Sequence, residues 1–544
     1  MKKPDLKRLQ PRIILIAILL VSAALRLYNI DFGKPHTFHP DEMKLIAQAG
    51  HLLDTFFVDK DAYFVFGVYP VFFTIILAFV LAFYILLAVV SGRFESLHYA
   101  QIAYENNPFT FFLAGRLFVA FLGVLSVYIL YKLCKQSYNR RMALVAAAFL
   151  GMNFIHVRNS HFATVDVPAT LFALLALYFM IRIYNRDELK DYLLAALFMA
   201  FAVAAKFSLL FIALPFFYIC VVQFAKSKKS VVVKKITAAI VTGVIFFFIA
   251  SPIFLLDFHE TMGGIAGTTE FEKVGKIGSG GGFLSYWTGK QAPGFGMFYP
   301  NSIPDTFGIP LTLLVVAGLA YQIHRHRHRD LLFLLFVFST YFMFDHFAYK
   351  AMRHILPIIP LLLLSAALTL DSIVDMLRIK RFYQNIILSI LVVVFVFPGV
   401  SYSLYYFSVL NEKGPRSRAA EWIEHNIPAG SRLAVESFAP PVKPDSSTGR
   451  FYEFVSIRLT QRQGGLAPVF IDTVETCDYY ISDGFSRSFF NWEETSERYP
   501  EIVKDRRRFF DYIENEFRLI KHFKATDEHL QPEIAIYKNV DENP

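Results

Sequence analysis

Ile13-Ile14-Leu15-Ile16-Ala17-Ile18-Leu19-Leu20-Val21-Ser22-Ala23-Ala24-Leu25-Arg26-Leu27-Tyr28-Asn29-Ile30 is followed a few residues on by Thr37-Phe38-His39-Pro40-Asp41-Glu42. The first run is apolar over the length of a bilayer-spanning helix. Lys2, Lys3, Lys7, Arg8 and Arg12 precede it, and no small-residue cleavage pattern follows. It therefore reads as a retained first membrane helix with a cytoplasmic N-terminus. The second stretch sets two carboxylates side by side where that helix leaves the bilayer. A proline at a first helical position with acids in the first turn is also an ordinary helix start. What separates a catalytic reading from the ordinary one is the company these acids keep.

Of 544 residues, 55% are hydrophobic and only 18% charged, against about a quarter charged in a soluble domain. The class is an α-helical polytopic membrane protein. The net charge of +9 is concentrated in short loops between apolar runs, which points to the lipid bilayer and not to nucleic acid as the partner of these bases. Three cysteines, Cys134, Cys220 and Cys477, allow neither a disulfide framework nor a cysteine metal motif.

After the run 13–30, apolar runs recur at 71–90, 109–133, 142–154, 163–183, 192–205, 207–224, 236–256, 307–321, 331–344, 354–370 and 385–407. The basic loops are marked by Arg140 and Arg141, by Arg186 and Lys190, by 226–235, by 324–329 and by 378–381. They share one side only if 71–90 does not carry the chain across. That run is expected to be a juxtamembrane, re-entrant or hairpin element, leaving about eleven spanning helices. The polar stretches 31–61, 159–166, 257–306 and 345–353 then lie outside, with everything after 411. Residues 1–410 form a transmembrane domain, with a first outer loop 31–110 carrying juxtamembrane helices and a long loop 257–306. Residues 411–544 form a small extracytoplasmic α/β domain, with a helix around Ala419-Ala420-Glu421-Trp422-Ile423 and strands at 433–436, 469–471, 478–482 and 533–537. The glycine-rich Gly275-Lys276-Ile277-Gly278-Ser279-Gly280-Gly281-Gly282 lacks the ending of a nucleotide-binding loop and reads as a connector or a lid.

Charges at a membrane edge are costly and call for a function. Asp41 and Glu42 come first. Asp166 follows, in His161-Phe162-Ala163-Thr164-Val165-Asp166-Val167-Pro168, where it would also serve as a helix N-cap. Three cations fall at the same outer edge: Arg116 inside an apolar run, Lys206 at an apolar corner, and Arg353 at a helix start. Snorkelling would account for each separately. Together they suit a lipid phosphate, since guanidinium binds phosphate in two-point fashion and ammonium adds a compact charge. Carboxylates beside phosphate-binding cations point to group transfer from a lipid phosphate, with an acid taking the acceptor proton and the cations stabilising the leaving group. His39 and His161, with Tyr349 and Lys350, are candidate substrate contacts. No metal-ligand spacing is present, so metal dependence stays open with a divalent metal not favoured, and no cofactor is assigned.

With these residues in place, the chain resembles the C-type (GT-C) membrane glycosyltransferases. It is most similar to the protein O-mannosyltransferase and aminoarabinose transferase relatives, phospholipid carrier-dependent enzymes. The resemblance rests on Phe38-His39-Pro40-Asp41-Glu42, on Gly115-Arg116-Leu117, and on Asn153-Phe154-Ile155-His156-Val157-Arg158-Asn159-Ser160-His161 leading to Asp166-Val167-Pro168. It rests also on Lys206, on Arg353-His354-Ile355-Leu356-Pro357, and on Ala420-Glu421-Trp422-Ile423-Glu424-His425-Asn426-Ile427-Pro428-Ala429-Gly430. It implies an inverting transfer of a sugar from a polyprenyl-phosphate donor to a glycan, lipid or protein acceptor. By position, Asp41 or Glu42 would be the base, Asp41 being the choice. Asp166 would orient acceptor or sugar, and Arg116, Lys206 and Arg353 would hold the donor phosphate. The protein O-mannosyltransferases proper carry a β-trefoil in the loop corresponding to 257–306, which here is too short for one; this argues against a protein acceptor. A bacterial inner membrane, with the active site and C-terminal domain outside the cytoplasm, is the expected location. A transporter or flippase for a lipid-linked glycan is the competing class, although no internal repeat supports it; a ligase or polymerase moving a whole glycan is a third.

Overall fold

The computed structural model describes residues 6–34, 39–57, 71–106, 108–256, 298–345, 351–436, 440, 452–457, 471–484, 500–525 and 532–540. The expectations for the glycine-rich loop, for Tyr349 and Lys350, and for Thr37 and Phe38 fall outside them.

The chain is an integral membrane protein built from apolar helices. In order these are α1 (Leu6–Leu27), α2 (Pro40–Phe57), α3 (Val71–Val90), α4 (Leu97–Asn106), α5 (Phe109–Ser137), α6 (Arg140–Gly151), α7 (Phe154–Asn159), α8 (Asp166–Arg186), α9 (Leu189–Ala205), α10 (Ala213–Lys226), α11 (Lys229–Ala250) and α12 (Ile253–Leu256). They continue with α13 (Phe298–Phe307), α14 (Ile309–Arg325), α15 (His328–Asp345), α16 (Ile359–Met376) and α17 (Arg381–Asn411). Among the described residues, eight helical segments are long and apolar enough to cross a membrane, α3 among them. Local signals set several helix starts. The Asn139 side chain accepts from the Met142 N–H at 2.9 Å to begin α6, and Asn153 accepts from the His156 N–H at 3.1 Å to begin α7. Asp166 does not cap α8: Val165 holds the cap position without a side-chain bond, and the Asp166 carboxylate is used elsewhere.

The five basic loops meet at one end of the bundle. Arg141 pairs with Asp371, and with Asp375 at 2.8 Å; Arg381 also pairs with Asp375, at 2.7 Å. Arg329 donates to the Ser137 carbonyl, while Tyr218 bonds His328 at 2.7 Å, and Lys235 pairs with Asp187 at 3.0 Å. The buried Asp330 and the half-buried Tyr138, which bond to each other, close this end from within.

At the other end α3 crosses helix termini. Phe72 packs at a tilt against Phe172, in the second turn of α8, and stacks on Phe201, in the last turns of α9. Leu77 packs over Gly115, and Tyr84 meets Phe111 in the first turn of α5. Residues spread along α3 thus contact neighbouring helices at similar depth, as an element lying across helix ends does.

After α17 comes a small α/β unit. α18 (Pro415–Asn426), α19 (Ile471–Glu475) and α20 (Pro500–Glu516) accompany strands β1 (Arg432–Glu436), β2 (Glu453–Ile457), β3 (Tyr479–Asp483), β4 (Phe517–Phe523) and β5 (Ile534–Asn539). The sheet order is β2-β1-β3-β5-β4; β2, β1 and β3 run parallel, and β5 runs antiparallel to β3 and to β4. Three expected strands are present as β1, β3 and β5. The strand expected at 469–471 is not supported at Ile471, which opens α19 with Val474 as its buried residue; 469 and 470 lie outside the described residues.

Candidate active site

Three carboxylates and three cations form pairs at the end of the bundle crossed by α3. His39 starts α2: its carbonyl accepts from Met43 N–H at 3.1 Å, its Nδ1 accepts from Glu42 N–H at 3.4 Å, and Pro40 supplies the first helical turn. This start aims the adjacent acids differently. Asp41 is 23% exposed and its Oδ2 lies 3.2 Å from Arg353 Nη1. Glu42 is fully buried.

Glu42 meets Arg116 in a two-point pair, with Arg116 Nε donating to Oε1 and Nη2 to Oε2, both at 2.8 Å. Arg116 Nη1 donates to the carbonyls of Ile30 and Phe32 at 3.1 and 3.0 Å, and its guanidinium carbon lies 4.1 Å from the Phe32 ring centre. Glu42 Oε1 also accepts the Ala163 N–H at 3.0 Å. Both side chains have 0% exposure. Arg116 was expected to hold the donor phosphate and Glu42 to stand beside Asp41 as a reacting acid. In this geometry they satisfy each other in a closed pair that ties α2, α5, the end of α1 and the corner before α8. Gly115 permits this closeness, since a Cβ there would sit 2.9 Å from Ala163 Cβ and 3.0 Å from Ile46 Cδ1.

Asp166 opens α8, and its Oδ1 accepts from Lys206 Nζ at 2.7 Å. Lys206 follows the last turn of α9 in extended conformation, before the 3₁₀ segment Phe207–Ile212 resumes helical structure. That break turns its ammonium, 14% exposed, back to Asp166 and to within 3.5 Å of the Arg353 carbonyl. Asp41, Arg353, Lys206 and Asp166 are thereby linked in series.

The histidines divide. His39 packs on Phe162 with ring centres 4.5 Å apart, among Asp41, Glu42, Arg353 and Arg158. Burial pushes its imidazole below the usual histidine value, against the opposing pull of Asp41 and Glu42. His161, expected as a substrate contact, is buried. Its nitrogens face the carbonyls of Val157 at 2.9 Å and Tyr28 at 3.1 Å, and its ring stacks on Phe407 at 3.5 Å. It fastens the corner before α8 to the end of α1 instead.

Two arginines escaped the sequence reading of the site. Arg26, fully buried, donates to the Ser22 and Gly151 carbonyls at 2.9 Å and to Ser160 Oγ at 3.2 Å, and bonds His156 Nδ1 at 2.8 Å. A cation on the Gly151 carbonyl complements the C-terminus of α6. Arg158 donates from Nε to Tyr406 Oη at 3.0 Å, with its guanidinium 5.9 Å from the Phe162 ring centre. The signal for Arg158 was its place in a polar corner next to histidine and aspartate.

A cavity of about 610 Å³ lies elsewhere, between α2, α3, α4 and α5, lined by Ala47, Gly50, Leu81, Tyr104 and Phe111 among others. None of the paired carboxylates or cations lines it. Among the described residues, no three His, Cys, Asp or Glu side chains are grouped as metal ligands.

Comparison with known proteins follows this geometry. The family model for dolichyl-phosphate-mannose-protein mannosyltransferase matches residues 111–255, and that for the Alg9-like mannosyltransferase family matches 297–430. No curated protein matches the chain. Among solved structures, the oligosaccharyltransferase AglB of Archaeoglobus fulgidus, in complex with an inhibitory peptide and a dolichol-phosphate, is 12% identical. Its TM-score is 0.54, over 99% of this chain and 75% of that one. ArnT of Cupriavidus metallidurans in the apo state is 12% identical with a TM-score of 0.52, over 96% of this chain and 97% of that one. ArnT bound to undecaprenyl phosphate is 11% identical with a TM-score of 0.50 over the same shares. At such identities the likeness is one of fold, and it extends through the C-terminal unit.

Proposed function

We propose that the chain, whose fold is that of the C-type membrane glycosyltransferases, moves one sugar from a polyprenyl-phosphate donor to an acceptor hydroxyl or phosphate. The observation that carries this reading is the linked series Asp41–Arg353–Lys206–Asp166 at one end of the bundle. Arg353 and Lys206 are the donor-phosphate anchors, and Asp41 is the base. The acceptor oxygen attacks the anomeric carbon while its proton passes to Asp41. The bond from anomeric carbon to phosphate oxygen breaks on the opposite side, and the electron pair leaves with the lipid phosphate, giving inversion. Arg353 and Lys206 neutralise the charge that develops there. In the free enzyme these cations hold Asp41 and Asp166. An arriving phosphate competes for them, so donor binding loosens Asp41 from Arg353 as the base is needed. Asp166 orients the acceptor or sugar, and the Glu42–Arg116 pair positions Asp41 by fixing the start of α2.

The lipid-linked donor is supported by the mannosyltransferase family models and by the polyprenyl phosphates bound to structural relatives. Gathering of the basic loops at the far end supports a cytoplasmic location for that end. The reacting end, α3 and the C-terminal unit then face the opposite side, the periplasm if the membrane is a bacterial inner membrane, and α3 does not change the side of the chain.

The test uses purified full-length protein with radiolabelled polyprenyl-phosphate sugars, mannose first, with and without an envelope extract. Release of label from the lipid only with extract present is expected. Lipid binding without release in any combination would overturn the proposal.

A further inference from the structure

The cavity of about 610 Å³ between α2, α3, α4 and α5 is walled by one face from each of three helices. On α2 that face is Ala47, Gly50 and Asp54, one turn apart, while Leu45, Ile46, Ala49 and Leu52 turn into the core. On α3 it is Leu81, Ile85 and Val89, again one turn apart, and α3 supplies apolar side chains only. On α4 it is Gln101 and Tyr104, and the Tyr104 ring meets Phe111 of α5 edge-on with centres 5.2 Å apart. Because α3 lies across helix ends, this space sits at the depth where bilayer tails give way to headgroups.

The polar groups of the wall come from α2 and α4. Among the described residues, no hydrogen bond or ion pair engages the side chains of Asp54, Gln101 or Tyr104. A largely apolar cavity with a few polar groups turned into it is the ordinary form of a small-molecule site. Asp54 is the carboxylate of this wall, and no lysine or arginine joins it among the described residues. The charge therefore disfavours an anionic ligand and suits a cationic group. Tyr104 O–H and the Gln101 amide N–H are neutral donors, fit for a phosphodiester oxygen or an ester carbonyl. Gly50 keeps the space open: nothing lies within 4 Å of a Cβ built there.

We infer that this cavity binds a bilayer phospholipid with an ammonium headgroup, of the ethanolamine type. Its acyl chain lies along the α3 face, its ammonium donates to Asp54, and its phosphodiester accepts from Tyr104 and Gln101. Choline has no N–H to give Asp54, and a glycerol headgroup leaves the lipid with a net negative charge facing that carboxylate. The bound lipid braces α2 against α3, and α2 carries Asp41 and Glu42 in its first turn. The site is separate from the acid–base series of the proposed reaction and does not depend on which acid is the base.

The test uses full-length protein stripped of lipid in maltoside micelles and titrated with dioleoyl phosphatidylethanolamine, phosphatidylcholine or phosphatidylglycerol. Native mass spectrometry counts bound lipid, and melting reads the stabilisation that a ligand of the folded state brings. One phosphatidylethanolamine is expected to bind, about tenfold or more tighter than phosphatidylglycerol, the worth of a charged hydrogen bond. G50L fills the cavity and should weaken that binding by about tenfold or more, while the lipid-free protein melts no lower than the wild type, since leucine favours a helix over glycine. D54N keeps the shape and should remove most of the preference over phosphatidylglycerol, which decides the matter if G50L fails to fold. Citronellyl phosphate, a short polyprenyl phosphate, should leave the bound phosphatidylethanolamine in place. Equal binding of the three lipids, or unchanged phosphatidylethanolamine binding in a folded G50L, would overturn the inference. Displacement by a long-chain polyprenyl phosphate but not by citronellyl phosphate would also overturn it, by giving the cavity to the tail of the donor.

Discussion

Replacing Glu42 with Gln leaves the Arg116 guanidinium buried among apolar rings without its counter-charge. Two of the four bonds made by Arg116 go to the Glu42 carboxylate and two to backbone carbonyls, and neither side chain of the pair is exposed. Breaking a fully buried pair from one side costs about 3–5 kcal/mol, because the surviving charge keeps its desolvation penalty. At roughly 2 °C per kcal/mol, the low end of the scale for larger domains, the apparent Tm falls by about 6–10 °C. R116M is expected to fall by a similar amount. E42Q/R116M removes both charges while its amide still accepts from the Ala163 N–H, so it should lose much less than the sum, with a coupling energy of about 2 kcal/mol or more. Detergent-solubilised protein followed by tryptophan emission or by size-exclusion after heating gives the four values of the cycle. Additive losses, or single variants within 1 kcal/mol of wild type, would refute the closed-pair assignment. Lost polyprenyl-phosphate binding in a folded R116M would return Arg116 to the donor site.

Lys206 is partly exposed and contacts Asp166 directly, so K206M should weaken citronellyl phosphate binding by roughly ten- to hundredfold, the worth of one charged hydrogen bond, as titration will show. Gly123 leaves room for the Arg26 network: a Cβ there would lie 2.4 Å from Ser160 Oγ and 2.8 Å from Arg26 Nε. G123A should cost about 1–3 kcal/mol in the same melting assay. In the C-terminal unit, Glu436 ends β1 and accepts from Tyr480, Ser482 and the Asp483 N–H; burial first and the Asp483 charge second push its carboxyl well above the usual range. A raised folded-state value means that the folded form holds a proton the unfolded chain releases, so stability falls as pH rises past the ordinary carboxylate value. E436Q should raise the Tm of the unit at pH 8 and leave it nearly unchanged at pH 4, by calorimetry.

The membrane class and the end of the bundle where the acids and bases gather were legible because charges inside apolar runs are expensive and few. Asp41, Asp166, Lys206 and Arg353 stood out for that reason, and the structure gathers all four. Which acid meets which base was not legible. Glu42 and Arg116 come from different helices, and sequence order carries no information about the face each side chain takes. Asp41 and Glu42 differ by one position, about 100° around a helix, and that rotation sends one toward Arg353 and the other inward. Arg158, although part of the stretch quoted for the resemblance, was given no role, because an arginine in a polar corner costs nothing. His161 looked like a ligand contact and proved to be buried under Phe407, which lies far along the chain. In the tail, β4 was missed because Phe517–Phe523 buries only its first and last residues and lacks strand alternation. Ile471 read as strand from its apolar neighbours, but its segment closes into one helical turn with Val474 inward.

The most direct test of the account replaces Asp41 with Asn and measures two quantities on one preparation, sugar transfer from the labelled polyprenyl-phosphate donor and affinity for that donor. Loss of the base should lower transfer by about 10²–10⁴-fold. Donor affinity should hold or improve, since Arg353 no longer has an anionic neighbour at this position competing with the phosphate. Near-normal transfer by D41N would contradict the assignment of Asp41 as the base.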